Sequence, residues 1–106
     1  AVALGEREER GKELFHSSLL GCSSCHAEKT GYTDLDVHDV SSATEADVKR
    51  TFLAPSLRFI AGSAPYFHDG RYATLDELLE KNEKMGNTRS LSQDDRVALA
   101  AFLRTL

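Results

Sequence analysis

The sequence is poor in sulfur-containing residues, with two cysteines and one methionine among 106 residues. Two cysteines are too few for a structural zinc site, which needs about four protein ligands. Strand alternation and hairpin signals are also missing, so we do not expect a thioredoxin-like βαβ unit around a redox-active cysteine pair. Finally, no apolar stretch approaches the length of a transmembrane helix, and we therefore expect no membrane span.

Charge is spread along the chain, without a run of five or more like charges that would indicate an interaction tail. The formal net charge of -4 argues against nucleic acid as a partner. The apolar fraction of 41% and the charged fraction of 28% are typical of a globular protein. At this length we expect a single domain that spans residues 1–106.

The most informative motif is C-x-x-C-H at residues 22–26. This spacing is the attachment signature of c-type haem, because each thiol can add to one vinyl group of the porphyrin. His26 would then lie beneath the iron and ligate it, while its second ring N–H donates to a backbone carbonyl, for which residues 54–55 are our candidate. Half of a zinc site and a redox dithiol are the alternatives. We predict one haem c, held covalently by Cys22 and Cys25.

Periodicity and capping signals predict an all-α domain. A first helix is expected over residues 5–17, where Gly11 indicates close approach of another helix, with a tolerated surface glycine as the alternative. The capping sequences at residues 44–47, 74–77 and 92–95 predict three further helices, of which the last is amphipathic and runs to the C-terminus.

The remaining segments are expected to be turns and loops. Residues 27–42 are polar and turn-rich, and residues 55–60 suggest one short turn of helix that begins at a proline. The helix that starts near residue 74 should end near Lys84, with Gly86 as a left-handed cap. Four side chains of the first loop are expected to point inward, namely Tyr32, Leu35, Val37 and Val40.

A low-spin haem that transfers electrons needs a second axial ligand, and Met85 is the leading candidate. It is the only methionine, and it lies far enough along the chain to reach the opposite face of the haem. Its thioether would raise the reduction potential, whereas the alternative is a methionine that fills a packing gap. His68 is the main competitor because it lies in an aromatic-rich loop. We expect His16 to face solvent or to cap the first helix, and His38 to be a surface or hydrogen-bonding residue.

Haem propionates need cationic or hydroxyl partners when they are partly buried. Arg58, Tyr66 and Arg71 flank the segments that we expect to wrap the haem. We rank a hydrogen bond from His68 to a propionate or to the backbone above iron ligation. For each arginine, a solvated surface charge is an equally open interpretation.

Several stretches together resemble one family. Residues 11–15, which precede the C-x-x-C-H motif, are similar to the start of many class I cytochromes c. The runs A-P-S-L-R at residues 54–58, A-P-Y-F-H-D-G at 64–70 and A-T-L-D-E at 73–77 resemble the C-terminal haem domain of the bacterial di-haem cytochrome c peroxidases. That family includes the maturase of methylamine dehydrogenase, and residues 91–103 resemble it as well.

This resemblance implies a class I cytochrome c fold, with crossing N- and C-terminal helices and a haem wrapped by loops and short helices. In the peroxidases this domain carries a His/Met haem that passes electrons to a peroxidatic haem in another domain. Met85 resembles its methionine ligand, where the maturase has a tyrosine. The chain has one C-x-x-C-H motif where the family enzymes have two, so we expect either a free-standing cytochrome or one domain of a longer redox protein.

Two functions follow as hypotheses. The first is electron transfer through one haem with His26 and Met85 as axial ligands, and with no catalysis by this chain alone. The second is a peroxidase-like or gas-responsive haem protein in which Met85 is labile and His68 serves as an acid/base; a structural interaction domain is a weaker third reading.

The same reading predicts partners and location. We expect redox proteins or an attached redox domain as partners, and weak homodimerisation if a haem edge is exposed. Charged residues interrupt the N-terminus early, so no signal peptide is recognisable in the sequence. Because haem is normally attached to this motif outside the cytoplasm, we expect a periplasmic or otherwise exported product whose signal has been removed.

Overall fold

The computed structural model describes residues 4–106. Its α-helices are α1 (Glu6–Phe15), α2 (Cys22–Cys25), α3 (Leu75–Lys81) and α4 (Gln93–Leu103). Single turns of 3-10 helix occur at Glu28–Thr30, Ile60–Gly62 and Thr88–Ser90. Two short strands, β1 (Val37–His38) and β2 (Phe52–Leu53), pair in antiparallel fashion with Val37 opposite Leu53. The domain is therefore mostly helical, as predicted, with a small sheet that the sequence pattern did not indicate.

The core centres on the packing of α1 against α4. The rings of Phe15 and Phe102 are both buried, with their centroids 5.5 Å apart. Gly11 marks the closest approach, because a Cβ at this position would overlap the carbonyl oxygen of Ala98 and lie 2.7 Å from Cβ of Phe102. The predicted close contact of another helix at Gly11 is confirmed. Among the described residues, no helix is long and apolar enough to cross a membrane.

We expect Gly11→Ala to lower the free energy of unfolding by roughly 1–3 kcal/mol, as overpacking of a close interface does. Alanine's higher helix propensity, worth about 1 kcal/mol, offsets only part of this loss. Chemical denaturation followed by circular dichroism measures the effect. Gly62→Ala is the matched control, since a Cβ there meets no atom within 4 Å. Equal stabilities of the two variants would contradict the close contact.

Helices α3 and α4 begin where the capping sequences predict. Thr74 Oγ1 and Ser92 Oγ each accept the backbone N–H of the residue three positions later, at 3.1 and 3.2 Å. Helix α3 ends earlier than predicted, before Lys84, because Asn82 adopts an extended backbone with φ -62° and ψ 149°. Gly86 has a left-handed backbone, with φ 77°, but it shapes the loop after the helix rather than capping it.

Two short helices expected between residues 44 and 60 are absent, and those predictions are wrong. The amide of Thr44 does donate to the Asp47 carboxylate, at 2.8 Å, as in a capping sequence. No helix follows because Val48 is exposed and the segment has no apolar face to bury. Further on, Phe59 adopts a left-handed backbone with φ 59°, which is incompatible with a continuing helix.

The prediction of inward-pointing anchors in the first loop is only partly correct. Tyr32 is buried and Val40 is half-buried, whereas Leu35 and Val37 are mostly exposed. Backbone amides of this segment donate to its own aspartate side chains, which satisfies the chain locally and holds it as a polar turn at the surface.

Candidate haem-attachment site

The C-x-x-C-H motif forms helix α2 and the residue that follows it. Gly21, whose left-handed backbone has φ 77°, turns the chain into this helix. Cys22 and Cys25 are three positions apart and therefore lie on one side of the helix. The amide of His26 donates to the carbonyl of Cys22 at 3.0 Å, so the histidine is carried on the same helical turn. One turn thus presents two thiols and an imidazole together.

Both cysteines are free, half-buried thiols. Burial raises the pKa of the Cys22 thiol to about 11. Because the thiolate is the reactive species in disulfide exchange, a protonated Cys22 at neutral pH disfavours the redox-dithiol alternative.

Cys25 lies close to a histidine–aspartate pair. Cys25 Sγ lies 3.9 Å from Nδ1 of His38, whose Nε2 lies 2.7 Å from Oδ2 of Asp34. These ligand atoms fall within 4.8 Å of one another. Because the same thiol belongs to the C-x-x-C-H motif, we assign no separate metal site to this group. His38 is therefore a half-buried, hydrogen-bonded residue, in agreement with its expected role.

The imidazole of His26 is buried, with 7% of its surface exposed. Its Nδ1 lies 2.8 Å from the carbonyl oxygen of Tyr32. A carbonyl oxygen can only accept, so Nδ1 carries the proton of the neutral ring and Nε2 keeps a free lone pair. We expected a carbonyl of residues 54–55 to be the acceptor, but the hydrogen-bonded carbonyl is that of Tyr32. The carbonyl of Pro55 acts on the ring only by raising its pKa.

Burial also keeps this imidazole neutral. Desolvation lowers the pKa of His26, and the carbonyls of Tyr32 and Pro55 offset only part of that effect. A neutral imidazole is the form that ligates a metal ion. The ring therefore has the protonation state and the fixed tautomer that an axial ligand requires.

The loop that contains the Tyr32 carbonyl is hydrogen-bonded to residues 54–56. The hydroxyl of Thr33 donates to the carbonyl of Ala54, and the hydroxyl of Ser56 donates to the carbonyl of Gly31 at 2.6 Å. Sequence reasoning missed these contacts, because residues more than 20 positions apart meet here only through the fold.

The loop that carries Met85 lies against the Cys22 end of the motif. A Cβ on Gly86 would lie 3.6 Å from Cys22 Sγ, and the amide of Asn87 donates to the carbonyl of Leu20 at 3.2 Å. Met85 itself is half-buried and packs against the hydrophobic core. The structure therefore brings the only methionine-bearing loop of the chain beside the attachment motif.

Two of the residues predicted to contact the haem, Arg58 and Tyr66, make contacts within the protein. The guanidinium of Arg58 lies 5.6 Å from the centroid of the Tyr32 ring. The hydroxyl of Tyr66, which is buried, donates to the carbonyl of Ile60 at 3.0 Å. Their proposed contacts with haem propionates stay predictions.

The other two residues predicted to contact the haem, His68 and Arg71, each pair with an aspartate. His68 Nε2 lies 3.0 Å from Oδ2 of Asp47, and its ring stacks on Phe52 with a centroid separation of 3.7 Å. Arg71 pairs with Asp69, and this hydrogen-bonded guanidinium lowers the pKa of the Asp69 carboxyl to about 2. Roles for His68 and Arg71 toward a haem also stay predictions.

The chemistry of these donors fits a c-type haem. A neutral buried imidazole and two free thiols share one helical turn, and a loop with a thioether lies beside them. Cysteine thiols provide the covalent links in such proteins, and His/Met pairs are their usual electron-transfer ligands.

Comparison with known proteins supports this view of the fold. No protein-family model matches the chain. The methylamine utilization protein MauG of Methylorubrum extorquens is 31% identical over 98% of this chain and 35% of its own length. The cytochrome c551 peroxidase of Nitrosomonas europaea is 33% identical, also over 98% of this chain and 35% of its own length. The chain thus spans about a third of the length of these two curated relatives.

A solved structure of hydrazine synthase from Kuenenia stuttgartiensis shares the fold. It superposes with a TM-score of 0.83 at 23% identity, covering 98% of this chain and 47% of that one. A mostly helical fold with a buried histidine after paired thiols is typical of a cytochrome c-like domain. Along nearly its whole length the chain resembles the bacterial cytochrome c peroxidases and MauG, as its motifs predicted.

Proposed function

We propose that this chain is a one-haem electron-transfer domain of class I cytochrome c type. Cys22 and Cys25 hold the haem covalently, and His26 and Met85 are its axial ligands. The observation that carries the proposal is the buried, neutral imidazole of His26, which the Tyr32 carbonyl orients on the same turn as both thiols. When bound, the haem supplies a one-electron redox couple.

In this role, groups of the protein orient the imidazole of His26 and keep it buried. The hydrogen bond to the Tyr32 carbonyl keeps the lone pair of His26 Nε2 available, and burial disfavours protonation of the ring. A thioether ligand favours ferrous over ferric iron, so ligation by Met85 is expected to give a high reduction potential. No group of the chain is assigned a catalytic step.

The family relationship suggests the setting of this electron transfer. Two relatives bear the names of a peroxidase and a methylamine utilization protein, and each is about three times as long as the aligned chain. We propose that the domain exchanges electrons with redox partner proteins or with an attached redox domain, in the periplasm or another exported location. A weak homodimer through an exposed haem edge remains part of this proposal.

A peroxidase-like reaction, or a response to peroxide or a gas, is the second candidate function. The relatives named as cytochrome c peroxidases favour it. It requires a labile sixth ligand and a distal acid/base such as His68. The ring of His68 is engaged with Asp47 and stacked on Phe52, so it would first have to leave both partners.

Optical spectra of the haem-loaded protein distinguish these functions. Electron transfer predicts a six-coordinate, low-spin ferric spectrum with the weak far-red band of methionine sulfur. The ferrous form should not bind carbon monoxide, and the protein should not turn over peroxide. A high-spin ferric spectrum together with carbon monoxide binding would contradict the electron-transfer proposal and favour the second candidate.

A further inference from the structure

We propose that Asn82 and Thr88 form a buried polar clamp that positions Met85 as an axial ligand. Asn82 is then a positioning residue, which acts through Met85 rather than by touching the haem. This inference rests on the proposed function, because it concerns the methionine ligand named there. It adds the groups that fix the backbone of that ligand.

Asn82 is the residue at which helix α3 gives way to the methionine loop. It is 1% exposed, and its amide completes the last helical turn by donating to the carbonyl of Leu78 at 2.9 Å. Its side-chain Oδ1 accepts the backbone N–H of Met85 at 2.9 Å. One buried side chain therefore determines both where the helix ends and where the backbone of Met85 lies.

Thr88 fixes the orientation of the Asn82 amide. Thr88 is also 1% exposed, and its Oγ1 accepts from Asn82 Nδ2 at 2.7 Å while donating to the carbonyl of Leu79 at 2.6 Å. Because Nδ2 must face Thr88, Oδ1 must face Met85. A fully satisfied buried network of this kind is rigid, since every alternative orientation leaves a buried polar group without a partner.

The other side of the loop is held by the haem-attachment region. The amide of Asn87 donates to the carbonyl of Leu20 at 3.2 Å. At Gly86, a Cβ would come to 3.1 Å from that same carbonyl oxygen. The backbone of Met85 is thus held between the Asn82–Thr88 clamp and the attachment motif. Only side-chain rotations remain for its thioether, which lowers the entropy cost of holding it at an iron.

Sequence reasoning missed this clamp, although one local signal was present. Asn82 precedes Met85 by three positions, the spacing at which an asparagine side chain accepts a backbone N–H. The contribution of Thr88 has no local signal, because its partners, Leu79 on α3 and Asn82 just after it, are brought to it only by the folded loop.

The test compares ferric, haem-loaded variants by titration with imidazole, which competes with the thioether for the iron. Asn82→Leu removes both side-chain hydrogen bonds of Asn82, to Met85 and to Thr88. Imidazole should therefore remove the far-red methionine band at a roughly tenfold lower concentration, as loss of one to two buried hydrogen bonds implies. Thr88→Val should shift the titration in the same direction, and Thr88→Ser, which keeps the hydroxyl, should restore it. The reduction potential should fall in the first two variants and recover in the third.

Leu103→Ala provides the control for a loss of stability alone. Leu103 is buried on α4, and its truncation should lower the unfolding midpoint while leaving the imidazole titration and the potential near their wild-type values. If Asn82→Leu fails to fold, the pair Thr88→Val and Thr88→Ser decides the question.

Failure of this inference differs from failure of the proposed function. A normal methionine band in the wild type, with unchanged imidazole titration and potential in Asn82→Leu and Thr88→Val, overturns the clamp alone. A wild-type spectrum without the methionine band overturns both the His26/Met85 ligation and the clamp. A shift in Leu103→Ala as large as that in Asn82→Leu would assign the effect to general destabilisation and also overturn the clamp.

Discussion

Replacing Met85 by leucine is expected to abolish the far-red methionine band and to open the iron to added ligands. Leucine is close to methionine in volume, so packing in the half-buried loop should be retained. Without the thioether, the ferrous form should bind carbon monoxide. The reduction potential should fall by on the order of 100 mV or more, within the range of about 0.8 V that axial ligands span. Optical titration at controlled potential measures both changes.

Leu91→Ala is the matched control for this variant. Leu91 is another half-buried apolar residue that packs against the same core, but it carries no sulfur. Its variant should keep the wild-type spectrum and potential. If Met85→Leu also kept the wild-type spectrum, Met85 would be a packing residue, and the proposed axial ligation would be wrong.

Removing both thiols is expected to abolish covalent attachment of the haem. In the Cys22→Ala/Cys25→Ala double variant, haem should be extracted completely by acidified organic solvent. It should also separate from the chain in denaturing electrophoresis. Each single variant should retain one thioether and keep its haem, because each thiol bonds a different vinyl group. Haem staining of the denatured chain reports the outcome directly.

Ser23→Ala is the control within the motif. It leaves the spacing of the two thiols unchanged, and it should stain for haem as strongly as the wild type. Retention of haem by the denatured double variant would exclude attachment through these cysteines.

The predicted helices formed where a capping sequence was followed by a face that could be buried. Thr74 and Ser92 both cap helices whose apolar residues enter the core. Thr44 makes similar local hydrogen bonds with Asp47, yet no helix follows, because the next residues have no core to pack against. Capping is a local effect worth about 1 kcal/mol, whereas burial of an apolar face supplies most of a helix's stability in a protein.

The exposed side chains of Leu35 and Val37 illustrate the same limit. Their apolar character alone suggested that they point inward. In the structure their segment is held by hydrogen bonds to its own aspartates, and the Val37–His38 strand pairs with Phe52–Leu53 at the surface. A two-residue strand pair is too short to produce the alternation by which strands are recognised in a sequence.

The sequence by itself determined the chemistry that depends on covalent spacing. The positions of Cys22, Cys25 and His26 within one turn, and the presence of a single methionine, follow from the order of residues alone. Only the tertiary structure decided which groups surround them: the Tyr32 carbonyl on His26, and the Asn82–Thr88 clamp on the loop of Met85. The hydroxyl groups of Thr33 and Ser56, which hold the Tyr32 loop, join segments more than 20 positions apart that meet only after the chain folds back on itself. The bonds of Thr88 likewise depend on the folded loop. Local residue patterns cannot encode such contacts, because burial and the need to satisfy every buried polar group select them.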